Sequence, residues 1–134
     1  MGFGGERLAK KTGEVLVLGV RIIPSQDRVG YFLWVAMDEF SQEILHHEIE
    51  EVHRRGQTEF MFPNFILDRL SNEPFKGTHK VQLVLPFYDY PSREFYHRVV
   101  PNLPARVSIY MDEPRSMLTT NKFFATYLHT GPYN

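Results

Sequence analysis

The sequence predicts an α+β domain: an antiparallel sheet packed by one principal helix over residues 42–55. Three observations point there. Residues 14–23 are rich in Val, Leu and Ile without helical spacing, residues 30–37 are dense in aromatic and β-branched side chains, and the stretch between Ser41 and Gly56 carries the start and stop signals of a helix. A chain of 134 residues, 43% hydrophobic and 23% charged, has the material for one core and too little charge for disorder. Residues 1–134 are therefore read as a single domain, with residues 1–12 a flexible N-terminus.

Taken along the chain, Val15-Leu16-Val17-Leu18-Gly19-Val20 reads as a buried strand and Pro24-Ser25-Gln26-Asp27 as the turn after it. Residues 30–37 form the second strand, paired to the first as a hairpin. Ser41 caps the helix, Glu43 lies in its first turn and Gly56 just past its end. Within it Leu45, Ile49 and Val52 recur at i, i+4 and i+7 as the stripe that packs on the sheet, with Glu43, His47, Glu51, Arg54 and Arg55 opposite. Residues 58–67 leave two readings open, because Pro63 argues against a central strand and equally starts a short helix through Leu70. In 79–87 Val81, Leu83 and Leu85 share one face of a strand. A loop around Tyr88-Asp89-Tyr90-Pro91-Ser92 leads to a short helix over 94–99, stopped before Pro101. Residues 106–111 and 122–129 complete the sheet as strands, separated by the turn-rich Asp112-Glu113-Pro114-Arg115.

Composition excludes several classes of function. The 15 basic and 16 acidic residues are spread along the chain and leave a formal net charge of −1, without the footprint a polyanion needs, so nucleic acid is not an expected partner. The local excess of Arg7, Lys10 and Lys11 reads as a solvated terminus. There is no cysteine, hence no disulfide, thiolate metal site or cysteine nucleophile. The first apolar run breaks at Arg21, well before the ~20 residues of a membrane helix. No signal-peptide pattern is present, and Glu6 stands where a myristoylation motif needs Ser or Thr. A cytoplasmic protein without membrane contact is expected. No nucleophile elbow, phosphate loop or dinucleotide fingerprint appears either, since Gly2-Phe3-Gly4-Gly5 has no strand before it.

The segment Asn121-Lys122-Phe123-Phe124-Ala125-Thr126-Tyr127-Leu128-His129-Thr130-Gly131-Pro132-Tyr133 resembles the strand-and-turn signature of the GyrI-like effector-binding family: an aromatic-Ala pair, then His, one residue, and Gly-Pro-Tyr. Asn102-Leu103-Pro104-Ala105 and Val81-Gln82-Leu83-Val84-Leu85-Pro86 are similar in kind to segments that precede it there. The resemblance implies a duplicated β-α-β-β unit whose halves enclose an aromatic-lined cleft for apolar or cationic small molecules. In that family a helix and a strand follow the Gly-Pro-Tyr turn, whereas this chain stops at Asn134, so the resemblance implies either a truncated second half or one that a partner completes, with a homodimer the expectation. Gln82 stands where the family's cleft often carries a carboxylate, so a preference for cations does not carry over.

Aromatic residues make up 14% of the chain, enough to fill a core and line a pocket as well. The leading expectation is non-catalytic binding of an apolar or aromatic small molecule, without a cofactor, by Tyr31, Trp34, Phe60, Phe62, Phe65, Phe124, Tyr127, His129 and Tyr133. Trp34 is central to it, as the single Trp and on the strand face opposite Tyr31 and Leu33. Asp38 and Glu39 suit the dipole of the helix that follows, or a cationic ligand. The aromatic loop at 87–91 is a pocket rim or an interface anchor. Two rival readings stand beside this one. The first is an interaction protein that homodimerises through an aromatic sheet face. The second is a metal-dependent or acid–base enzyme using His46, Glu50 and His53, which stack on one helix flank and need a further ligand from His79, His97 or His129. A solvated flank with i,i+4 pairing accounts equally for that trio.

Overall fold

A computed structural model describes residues 7–23, 30–51, 61–86 and 90–130. Its elements run β1 (Val15–Ile23), β2 (Tyr31–Asp38), β3 (Ile44–Glu51), α1 (Phe62–Leu70), β4 (Val81–Leu85), α2 (Tyr90–Val99), a 3-10 turn (Val100–Asn102), β5 (Val107–Met111) and α3 (Glu113–Thr130). The architecture is α+β, with one five-stranded sheet in the order β3-β2-β1-β4-β5.

β1 lies in the middle, and its unbroken apolar run follows from that place, because residues 15–20 are buried whichever face they point to. The hairpin with β2 forms as expected, with Leu18 opposite Ala36 and Ile23 opposite Tyr31. β3 continues antiparallel, but β4 pairs parallel to β1 and β5 parallel to β4. The sheet is thus mixed rather than antiparallel. Parallel neighbours need a crossover, and α2 supplies the one between β4 and β5. Three strands followed by alternating helices and strands also differ from the β-α-β-β order that the resemblance implies.

Two segments have the opposite type from the one expected. Residues 44–51 form edge strand β3 instead of the principal helix, and 52–55 lie outside the described residues. Pairing along β2 overrides the local helix signals. Ser41 is accordingly no helix cap: its backbone N–H donates to Asp38 Oδ2 at 2.8 Å within the β2–β3 turn. Residues 122–129, expected as a strand, belong to α3, which is 18 residues long. The supposed turn at 112–115 starts that helix, with Asp112 Oδ1 accepting from the Arg115 N–H at 3.0 Å and Pro114 placed where no donor is needed. The open segment resolves as α1, begun by Pro63. The helix expected at 94–99 falls within α2, and the strands expected at 79–87 and 106–111 are β4 and β5.

Helices cover both faces of the sheet. On one face Leu16, Leu18, Phe32, Trp34 and Ala36 meet Phe62, Ile66 and Leu70 of α1 and Phe95 and Val99 of α2. On the other, α3 lies over β1 at Gly19. A Cβ there would stand 2.6 Å from Thr120 Oγ1 and 2.9 Å from Thr120 Cγ2, so the absent side chain is what lets the helix approach. The Ser116 hydroxyl donates to the Leu18 carbonyl at 2.5 Å, and that of Thr120 to the Ser116 carbonyl at 2.7 Å, which satisfies the polar groups buried at this contact.

Candidate functional site

One helix cannot cover a five-stranded sheet. Strands spaced ~4.8 Å apart make a surface roughly 19 Å wide, and a helix with its side chains spans about 10–12 Å. On the α3 face Leu8 and Ala9 of the N-terminal segment cover Val15, Val17 and Val84. Beside β2 and β3 a groove of about 520 Å³ remains. Met37, Ile44 and Gln42 of the β2–β3 hairpin form one wall. The other consists of Thr119, Lys122, Phe123, Thr126 and Tyr127, which share a flank of α3 by their i, i+3, i+4, i+7, i+8 spacing.

The hairpin wall owes its shape to an irregular register. His46 pairs with Ala36 but Ile44 with Met37, so Leu45 is an extra residue in β3. This bulge turns Leu45 toward the face of α1 and α2, where it packs on the core, and places Ile44 beside Met37 on the α3 face. Ile44 is left 46% exposed. Gln42 holds a positive φ of 64°, and its side-chain amide donates to the Glu39 carbonyl at 2.5 Å.

Beneath the turn sits a buried polar node. Asp38 accepts from the Gly13 N–H at 2.9 Å as well as from Ser41, and Glu39 accepts from the Ala9 N–H at 2.8 Å. Glu39 also pairs with Arg115 at 3.1 Å, with only 3% and 6% of the two side chains exposed. These carboxylates close the turn and tie α3 to the sheet rather than serving the dipole of a following helix.

The strand period separates the histidines that a helix would have brought to one flank. His47 faces α3, its ring 5.5 Å from that of Phe123 and 5.7 Å from that of Tyr127. His46 faces the other way, stacked on Phe65 at 4.0 Å and 3.0 Å from Glu48. Glu48 in turn accepts from the Met61 N–H at 2.7 Å at the start of α1, and Glu50 accepts from Trp34 Nε1 at 3.2 Å. His53 lies outside the described residues. Among the described residues no three His, Cys, Asp or Glu side chains stand close enough to hold a metal ion.

The nine side chains expected around a ligand do not converge. Trp34 is 1% exposed, wedged between Phe62 and Phe95 with ring centres 5.4 and 5.5 Å away. Phe62 and Phe65 belong to that same face. Phe124 is buried on the inner side of α3, where Arg21 lies over its ring at 4.7 Å, and Tyr31 is half-buried near it. Tyr127 lines the groove. His129 is a residue of α3, while Phe60, Tyr133 and the loop residues 87–89 lie outside the described residues. The groove residues that sequence reasoning missed on α3 carried a readable signal, the helical spacing of 119, 122, 123, 126 and 127. Ile44 and Met37 carried none, because a bulge leaves no mark in composition.

Comparison with protein-family models, with curated proteins and with solved structures returns no match. No helix among the described residues is long and apolar enough to cross a membrane.

Proposed function

We propose that the protein binds an apolar or aromatic small molecule, without catalysis, in the groove between α3 and the β2–β3 hairpin. The observation that carries this reading is the groove itself. Its volume of about 520 Å³ falls within the range of small-molecule sites, and its walls combine apolar and aromatic side chains with a few polar ones. Self-association, the rival reading, has two sheet edges open to it, β3 and β5, and the β3 edge disfavours it. There Glu48, Glu50 and Glu51 of two copies would meet, a charge pattern that guards an edge against pairing.

Thermal melting with the neutral probe naphthylmethanol tests the proposal. A ligand of the folded state present at a hundred times its dissociation constant adds ~2.7 kcal/mol of stability, which raises the melting temperature by several degrees. The rise is expected in the native sequence and should shrink in Tyr127→Ala. Trp34 fluorescence should stay unchanged, because that ring sits on the opposite face. An equal rise in Tyr127→Ala and Ile44→Glu, or none in the native protein, overturns the reading.

A further inference from the structure

The groove is electrically lopsided. Lys122 is the one formally charged side chain in its lining, it is exposed, and it makes no ion pair among the described residues. The nearest carboxylates by position are already engaged or face elsewhere. Asp38 is held by two backbone N–H groups, and Glu39 by Arg115 and Ala9. Glu43, exposed next to Ile44, is not part of the lining. Glu51 shares the α3 face of β3 but pairs with Tyr31 at the far end of the strand, roughly 20 Å from Ile44 at the usual rise per residue.

Among the described residues no carboxylate pairs with this ammonium, which stands at the edge of an aromatic wall. Phe123, next to Lys122, and Tyr127, one turn beyond Phe123, present that wall with ring centres 5.7 Å apart, and His47 extends it. This arrangement fits one kind of guest better than the others. A flat apolar body lies against the rings and Ile44, and a single negative charge at one end meets Lys122 Nζ. A cationic guest would set like charges together, and a neutral one would leave the ammonium to water.

We infer that the ligand of this groove is an aromatic or apolar monocarboxylate, oriented with its carboxylate on Lys122. The inference rests on the groove being a ligand site, and its test separates the two claims. Three probes with the same ring system, naphthoate, naphthylmethanol and naphthylmethylammonium, are titrated calorimetrically into the native protein and into Lys122→Gln, Lys122→Glu and Tyr127→Ala. Because Lys122 is exposed, the charge pair is screened, so naphthoate should bind about two- to five-fold more tightly than the alcohol at low salt. The ammonium probe should bind most weakly. Lys122→Gln should bring naphthoate and the alcohol to equal affinity, Lys122→Glu should place the cation first, and Tyr127→Ala should weaken all three. If the alcohol binds as tightly as naphthoate in the native protein, or if the ratio survives Lys122→Gln, the inference is wrong while the groove remains a ligand site. If no probe binds, or Tyr127→Ala changes nothing, the groove reading fails and this inference with it.

Discussion

On one face of the sheet two helices close over Trp34, Phe62 and Phe95, rings within 6.0 Å of one another. On the other a single helix is held by small residues, hydroxyls and an ion pair, and leaves a groove at its flank. Among the described residues the rings of the first face pack around Trp34, whereas the second keeps a groove because its contact is narrow. Large rings fill space out to the edge of the sheet. Gly19, Ser116 and Thr120 instead draw backbone close to backbone, so α3 shelters only the strands directly beneath it. Among the described residues the largest buried rings thus mark the tightly packed face, and the groove lies where small side chains set the packing.

Substitutions on the two faces should separate along the same line. Removing Trp34 acts on the closed face, where truncating a fully buried aromatic costs ~3–5 kcal/mol. Trp34→Ala is expected to lose that much in urea unfolding, and a loss below ~1 kcal/mol would show that the face is not tightly packed. On the other face the largest effect should come from the ion pair. Arg115→Met leaves Glu39 buried without its charged partner, for which ~3 kcal/mol is typical, and Arg115→Met combined with Glu39→Leu should recover much of it. A double-mutant cycle with no coupling would mean that the pair does not hold α3.

The close approach gives a smaller effect. Gly19→Ala forces Thr120 to shift, at roughly 1–3 kcal/mol for overpacking, and Thr120→Ala in the same chain should relieve it. If the two costs simply add, the helix is not seated on Gly19. Tyr127→Ala, half-buried at the groove, should change stability least, by about 1 kcal/mol or less, while weakening ligand binding. Nearly silent in unfolding and large in binding is the pattern that sets the groove apart from the core opposite.

Much of the fold was legible wherever one rule sufficed. The buried run of β1, the aromatic run of β2 and the alternation in β4 all read correctly, while Pro63 left strand and helix open and the structure shows the helix. β3 did not, because Leu45, Ile49 and Val52 satisfy a helical period as well as a strand allows, and the choice was made by β2 lying alongside. α3 failed for a different reason. Its inner stripe runs Ser116, Thr119, Thr120, Phe123, Phe124 and Tyr127, and the first three are hydroxyl residues that no hydropathy pattern marks as buried. Ser116 and Thr120 are buried because they sit against the β1 backbone at Leu18 and Gly19, a fact of tertiary contact. The consecutive rings Phe123 and Phe124 then suggested a strand. Of the groove only Tyr127 was singled out in advance, as its walls depend on these two misread elements.

The extra residue in β3 makes chain length at this hairpin matter more than side-chain identity. Leu45 offsets the ladder by one, so every residue before it has the opposite facing from the one that strict alternation would assign. A version of this protein one residue shorter between Gln42 and His46 could keep the same ladder and nearly the same composition, yet bring Leu45 or Glu43 where Ile44 now lines the wall. At this site insertions and deletions are the sensitive variable, and conservative exchanges such as Ile44→Leu or Ile44→Met leave the geometry of the wall as it is.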